Sequence, residues 1–438
     1  MAELLQFHCG NVQTPSECPC LSWGSGTGKR CENEEPFCGG MEIFMKEARK
    51  KKKGSRAGRI VKRIAGVVLI LLFIVIAGAG ALVGFLTLRE YKPKDTESVE
   101  IEGEGTKTAK IGEPISVLTF NTGYGALDAK HDFFMDGGSD VNADSEEQIR
   151  RNLEGISGII TETNADVVFL QEVDVDSNRS KHINEAQTYY ELRDDDSHAY
   201  ATNFRCDFIP YPLPPIGKVE GGIVTLNRFG ATEAERISLP TTYTWPVRMC
   251  QLKRCLLLER VPIEGTDKEL VLVNLHLEAY DDGDAKVAQT RLLASVLLSE
   301  YEKGNYCIAG GDFNQSLPSV DTSLYPVIND DYFKAGVVDG SLFPEGWNFP
   351  ADDTTPTARL LNGPYNPEDA NTQYYMLDGF ITSPNVRVES VKTLDEGFTY
   401  SDHNPMLLNV TLLGTGEAPE EVPGEAPEEV SGEAGEDL

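Results

Sequence analysis

Between Ile64 and Gly414 this sequence is short of positive charge, with 27 Lys and Arg against 54 Asp and Glu. Such a surface repels polyanions at long range and argues against tight, nonspecific nucleic-acid binding, although a bound metal ion can reverse the sign locally. Histidine is scarce as well, at six residues, and no HExxH pair offers a zinc-protease site. No serine or cysteine stands in a recognisable nucleophile elbow, which removes the usual signal for covalent acyl transfer. No internal repeat of roughly 20–50 residues appears, so a solenoid is excluded. Cysteine is divided unevenly: Cys9, Cys18, Cys20, Cys31 and Cys38 lie near the N-terminus, in a spacing that fits no zinc motif. Of the other four, Cys307 lies in an apolar run and reads as core. One disulfide is expected among Cys206, Cys250 and Cys255, with its pairing open.

The charges that are present are segregated. Residues 46–63 carry ten Lys or Arg and one Glu, and the next 25 residues, 64–88, carry no charge. At about 1.5 Å per residue that run crosses a hydrocarbon core of roughly 30 Å, and it exceeds the usual apolar length of a signal peptide. A single transmembrane helix is therefore expected at 64–88. The basic segment before it stays in the cytoplasm and everything after Arg89 lies outside the cell. Residues 1–45 form a cysteine-containing segment that would be lost if translation began at Met41 or Met45. Residues 89–112 are polar and read as a tether. The stretch 414–438 repeats "GEAPEEV", has no aromatic residue and nine acids without a base, and reads as a disordered tail. What remains, 113–413, is one large domain. It contains two amphipathic helices, one carrying Ile149, Leu153, Ile156, Ile159 and Ile160, the other Val287, Leu292, Val296 and Leu297.

The apolar strand-like runs of this domain end in an unusual way. "ISVLTFN" stops at Asn121 and "ADVVFLQE" at Gln171 and Glu172. "ELVLVNLHL" carries Asn274 and His276 on one face, and "YCIAGGDFNQ" ends in Asp312 and Asn314. Asp378 lies inside "YMLDGFI", and Asp402 and His403 precede "NPMLL". Each ending alone reads as a turn or a solvated polar group, since Gly, Asp and Asn favour turns. Residues two apart leave extended chain on the same face, however, so Asp312 and Asn314 form a pair, as do Asn274 and His276. So many acids, amides and histidines at the ends of core strands imply a shared purpose. Their carboxylate and amide oxygens are hard ligands suited to Mg²⁺, Mn²⁺ or Ca²⁺, and the histidines are suited to proton transfer near neutral pH. Together they point to metal-assisted hydrolysis, most naturally of a phosphate ester.

In order, "FNTGYG", "LQEVD", "NLHL", "GGDFNQ", "LDGFI" and "SDHNP" resemble the endonuclease/exonuclease/phosphatase superfamily with the DNase I-like fold. The resemblance spans 113–413. It implies an α/β architecture, a four-layer α/β/β/α sandwich of two packed mixed sheets, here preceded by one transmembrane helix. It further implies that Glu172 and Asn121 hold a divalent metal, with Asp402 completing the acidic cluster. Asp312 and Asn314 would position water and phosphate. His403 would be the general base, oriented by Asp378, and His276 a general acid or charge stabiliser. "HDFFMDGG" and "EVDVDSNRS" look like stretches of membrane-anchored bacterial members, which makes His131 and Arg179 candidates for substrate contact. "GKVEGG" is similar to a segment that supplies a partner for the His276 imidazole, making Glu220 a candidate.

The expected function is a membrane-anchored, Mg²⁺-dependent phosphodiesterase outside the cytoplasm, with Mn²⁺ or Ca²⁺ as alternatives. The acidic surface favours a lipid headgroup or small phosphate ester over nucleic acid. A DNase-like nuclease is the alternative, and a catalytically silent surface binding protein on the same fold is a further one. No obligate protein partner is evident.

Overall fold

The computed structural model describes residues 56–280 and 283–414. The readings made above for residues 1–45, for the start of the basic segment and for the acidic tail fall outside those residues. The chain divides into two compact units at Ala81/Leu82. Helix α1 (Arg56–Arg89) contains the uncharged run and is long and apolar enough to cross a membrane by length and composition.

Two mixed sheets form the centre of the second unit. One has six strands in the order β1 (Thr96–Ser98), β7 (Glu233–Ser238), β8 (Cys255–Pro262), β9 (Glu269–His276), β10 (Tyr306–Asp312) and β11 (Asp378–Thr382). The other has seven, in the order β12 (Val386–Thr393), β13 (Met406–Leu412), β3 (Pro114–Asn121), β4 (Val167–Asp174), β6 (Gly217–Asn227), β5 (Ser197–Ile209) and β2 (Ile101–Glu102). Only β9/β10 and β3/β4 pair in parallel among these neighbours. The strands alternate between two apolar layers. Val117 and Phe169 of one sheet pack against Leu272, Ile308 and Phe380 of the other. Leu118, Phe120 and Leu170 point the opposite way, onto α2 (Glu146–Thr163) through Ile149, Leu153, Ile156 and Ile160. The short α3 (Glu185–Leu192) adds Ala186 and Tyr189 to that layer, and on the far side Val271, Val273 and Ala309 pack against Leu293 and Leu297 of α4 (Asp284–Glu302). Burial on both faces explains why these strands read as continuous apolar runs. The layers are α/β/β/α, as the sequence implied.

Helix boundaries follow local chemistry. Ser145 caps α2 by accepting from the Gln148 amide, and Asn164 ends it in a left-handed conformation. Three expectations need correction. Val287 is 45% exposed; α4 turns Ala285, Gln289, Leu293 and Leu297 inward instead. The polar stretch 89–112 is not a free tether: β1 pairs with β7 and β2 with β5, so it contributes an edge strand to each sheet. A few residues of backbone pairing suffice there, and apolar periodicity does not report it. Finally, Cys206, Cys250 and Cys255 are free thiols, although the Cys206 and Cys250 sulfurs lie 3.6 Å apart.

The double glycine of β10 is a packing requirement. A Cβ on Gly310 would lie 2.4 Å from the Phe380 ring and 3.2 Å from Phe169, the two rings that fill the space between the sheets. One on Gly311, at φ +147, would lie 2.0 Å from the Leu275 carbonyl. Close approach, rather than a turn, is what these glycines permit.

One acid lies in the wrong place for a core. Glu259 on β8 is buried between the sheets, where its Oε2 accepts from Asn227 Nδ2 at 3.0 Å and its Oε1 has no partner. Burial pushes this carboxyl from 4.5 up to about 8, against the Asn227 hydrogen bond, which lowers it. The unfolded chain releases that proton near 4.5, so between the two values the folded state holds the extra proton and stability falls as pH rises. Glu259→Gln keeps an acceptor for Asn227 and should flatten this slope, adding on the order of 3 kcal/mol near pH 7. Denaturant unfolding at about pH 5 and about pH 8 checks it; an unchanged slope contradicts it.

Candidate active site

The strand register assembles the site. Asp312 pairs with His276 across the parallel β9/β10 ladder and with Asp378 across the antiparallel β10/β11 ladder. These three side chains therefore stand in one row on the inner face of the six-stranded sheet. From the facing sheet come Asn121 at the end of β3 and Glu172 on β4. A bulge interrupts β4 pairing between Leu170 and Val173, and Glu172 sits in it at φ 56. Bulges re-aim side chains beside functional sites, and a left-handed glutamate costs on the order of 1–3 kcal/mol. Asn314, at φ 49, turns sharply out of β10 and donates from Nδ2 to the Leu277 carbonyl at 3.0 Å.

The two rows meet through short polar contacts. Asn121 Nδ2 donates to Asp312 Oδ2 at 3.0 Å and lies 3.4 Å from Glu172 Oε1 and 3.5 Å from His403 Nε2. His276 Nε2 is 3.3 Å from Asp312 Oδ2 and 4.0 Å from Glu172 Oε1. His403 Nδ1 donates to Asp378 Oδ2 at 2.8 Å, and its Nε2 faces Asp312 Oδ2 at 3.8 Å. The Asn314 amide donates to Asp312 Oδ1 at 2.8 Å. Ser401 donates its hydroxyl to the Asn121 carbonyl at 2.7 Å and accepts from the His403 amide, which ties the loop carrying Asp402 and His403 to β3.

Electrostatics separate the two histidines. Burial drives the His276 pKa well below its ordinary value, reinforced by the Arg254 and His403 charges, so the imidazole is neutral. Burial also opposes protonation of His403, but Asp378, Asp312 and Asp402 outweigh it and raise its pKa well above the ordinary value. Burial and then Asp378 push Asp312 up to about 6. Glu172 and Asp402 are raised as well, chiefly by burial.

This donor set fits a hard divalent cation. Burial, with charge from neighbouring acids, raises the pKa values of Glu172, Asp312 and Asp402, and Asp378 Oδ1 and His276 Nδ1 are buried without a partner. Asp312, Asp378 and His403 offer ligand atoms within 4.8 Å of one another. That trio would sacrifice the Asp378–His403 hydrogen bond, however. Glu172 and Asp402, with the second lone pair of the Asn121 Oδ1 that already accepts from the Gly123 amide at 3.1 Å, would supply oxygens only, which hard cations prefer, and leave the bond intact.

Eight of the residues singled out from the sequence thus converge: Asn121, Glu172, His276, Asp312, Asn314, Asp378, Asp402 and His403. Arg179 borders them, held by a bidentate pair to Asp174 at 2.9 Å and lying 3.8 Å over the Tyr124 ring. His131 does not join them. It is buried in a separate network, 2.7 Å from Asp128 Oδ1 and 3.0 Å from Gln148 Nε2, where it pins the 128–144 loop to α2. Glu220 does not reach the His276 ring either; it pairs with Arg205 at 3.6 Å and Lys218 at 3.4 Å, leaving His276 Nδ1 without a partner. Two arginines were missed. Arg254 is buried, 3.4 Å from the His276 carbonyl, and Arg359 bonds the carbonyls of Asp128 and His131. Neither stands in a motif, so no sequence signal marked them.

A model of the Endonuclease/Exonuclease/phosphatase family matches residues 118–403, from the middle of β3 to the candidate base. Comparison with curated proteins finds no match. Among solved structures, an endonuclease/exonuclease/phosphatase from Beutenbergia cavernae is 18% identical at TM-score 0.49, over 69% of this chain and 72% of that one. An endonuclease/exonuclease/phosphatase from Bacteroides vulgatus is 17% identical at 0.42, over 68% and 99%. The human Nocturnin catalytic domain with bound sulfate is 15% identical at 0.42, over 72% and 97%.

The Asp378–His403 pair has a direct test in metal-free protein. Asp378→Asn removes the charge that most raises His403, so the ring titration should move down by at least about one unit, roughly 1.4 kcal/mol. Histidine ring NMR in EDTA measures it. A wild-type His403 that is already neutral at pH 6 would contradict the assigned environment.

Proposed function

The chain belongs to the endonuclease/exonuclease/phosphatase family, and we propose that it is a divalent-metal-dependent phosphodiesterase, anchored by α1 with its catalytic domain outside the cytoplasm. The observation that carries the chemistry is the row His276–Asp312–Asp378 facing Glu172 and Asn121, with the His403 ring closing it. Glu172, with Asn121 and Asp402, would hold the cation. When bound, the cation supplies Lewis-acid polarisation of a phosphoryl oxygen and the positive charge that lets His403 release its proton. Asp378 fixes the His403 tautomer by accepting from Nδ1, so Nε2 is the atom that takes a proton from the attacking water. Asp312, held by the Asn121 and Asn314 donors, orients that water and sits at a pKa where it can share the proton. Neutral His276 carries its one N–H on Nε2, 3.3 Å from Asp312 Oδ2, and would turn it from Asp312 to the phosphoryl oxygens as charge builds there. This is in-place acid–base work by buried groups whose environments pull their pKa values apart.

The substrate reading rests on charge. A nuclease usually draws affinity from Lys and Arg that displace counterions. Here basic residues are half as numerous as acids over 64–414. The arginines beside the site are engaged internally, Arg179 with Asp174, Arg254 with Glu278 at 3.8 Å and Arg359 with backbone carbonyls. A lipid headgroup or small phosphate ester asks for one phosphate's worth of recognition. The expected result is faster turnover of lipid or small phosphodiesters than of plasmid DNA at about 0.15 M salt. EDTA should abolish that turnover, and His403→Ala and Glu172→Gln should each lower kcat by at least about 10²-fold. DNA degraded at nuclease rates with the other esters untouched would overturn the substrate reading; near-normal turnover by His403→Ala would overturn the mechanism.

A further inference from the structure

The last two turns of α1 do not swing free of the catalytic domain. Leu82, Val83 and Leu86 pack with Phe204, Ile209 and Met249. Arg89 pairs with Asp207 at 2.6 Å, and Glu90 with Arg248 at 2.8 Å. The Trp245 indole donates to the Thr87 hydroxyl at 3.1 Å. With residues 89 and 90 fixed in this way, there is no slack chain between the end of the apolar run and the domain. From Leu82 on, the apolar run is therefore part of the domain's own surface, which continues at Leu88.

That surface is apolar and exposed. Leu88 and Leu213 are each 88% exposed, and Trp245 is 55% exposed. Leu213 is at the tip of the loop joining β5 to β6, whose two ends, Ile209 and Ile216, pack in the same cluster as Leu86. From there a strip of side chains runs to the site. Tyr211, in the same loop, meets the Phe134 ring edge-on at 6.0 Å. Two residues on, Asp136 accepts from the Tyr280 hydroxyl at 3.0 Å, and the Tyr243 hydroxyl bonds the Tyr280 carbonyl. The Asp136–Tyr280 pair reaches the acid cluster through residues 359–361: Asp136 Oδ2 accepts from the Leu361 amide at 3.3 Å, and the Arg359 amide donates to the Asp402 carbonyl at 3.1 Å. Large apolar side chains left this exposed in a contiguous strip mark an interaction surface, and Trp and Tyr are the residues that favour a membrane interface.

We propose that this strip beds into the interface of the bilayer that α1 crosses, and that the substrate is the headgroup phosphodiester of a lipid in that bilayer, which enters the site sideways along the strip. The substrate claim rests on the phosphodiesterase reading; the docking claim does not. In the reaction a water oxygen bonds to phosphorus and one phosphorus–oxygen ester bond breaks. The departing oxygen takes up a proton, giving an alcohol and a phosphomonoester.

The test uses the full chain in nanodiscs of phosphatidylcholine and phosphatidylglycerol, made with and without lipids brominated along the acyl chain. Bromolipid should quench a tryptophan component that is missing from Trp245→Phe. Leu213→Asp, at an exposed position outside the site, should lower hydrolysis of the nanodisc lipids at least about tenfold while leaving a soluble chromogenic phosphodiester unchanged. Trp245 untouched by bromolipid, as when a second copy of the chain covers the strip, overturns the docking. Lipid hydrolysis by Leu213→Asp at the wild-type rate overturns sideways delivery. If Trp245 is quenched but neither the lipids nor the soluble diester is hydrolysed, the phosphodiesterase reading fails, taking the substrate claim with it, and the docking stands.

Discussion

One amide–amide hydrogen bond holds the two sheets in register beneath the site. Gln171 Nε2 donates to Asn274 Oδ1 at 2.8 Å, and Asn274 Nδ2 continues to the Val224 carbonyl at 2.7 Å. Gln171 immediately precedes Glu172, and Asn274 lies two residues before His276 on the same face. The site depends on this clamp because its halves come from different sheets: Asn121 and Glu172 from one, His276, Asp312 and Asp378 from the other. Apolar contact between the sheets is non-directional and would tolerate sliding; a satisfied buried polar pair does not. The glycine at 310, opposite Asn274 in the β9/β10 ladder, brings Phe380 and Phe169 together in the next position along that face.

Above the clamp the protein concentrates groups that oppose stability. Asp312 and Asp402 are buried and Glu172 half-buried, all three with raised pKa values, and Glu172 and Asn314 occupy left-handed backbone. Such strain persists only where surrounding structure enforces it, here by ladders on either side of β4 and β10. The acids repel one another until a cation joins them, so the geometry is one that a divalent ion would relieve. The contrast with Glu259 is instructive. That acid is also buried and also raised, but it has one amide partner and no neighbouring donor set, and nothing about it suggests a ligand.

Much of this could be read from the chain because strand ends carry their chemistry in order. The alternation of extended chain placed Asn274 with His276; it did not place Asn314, which leaves the strand at φ 49 and meets Asp312 through its backbone amide. It could not tell that Asn274 and Gln171 would serve the clamp while their neighbours served the site, since that depends on which sheets face each other. Tertiary partners also decided His131 and Glu220: each is a polar residue in a suggestive stretch, and each found a nearer charge, Asp128 for one and Lys218 with Arg205 for the other. Arg254 was invisible because a lone arginine before a strand looks like any solvated base. Residues 89–112 misled for a related reason, since edge pairing by β1 and β2 uses backbone groups that every sequence has.

The central claim is that the strand-end acids form a cation site built on Glu172 and leave the Asp378–His403 pair free for proton transfer. Anomalous diffraction from crystals soaked in Mn²⁺ tests it most directly. The account predicts a peak about 2.1 Å from a Glu172 carboxylate oxygen, near Asn121 and Asp402, with the His403–Asp378 hydrogen bond retained. A peak held by Asp312, Asp378 and His403, with that hydrogen bond broken, would contradict it.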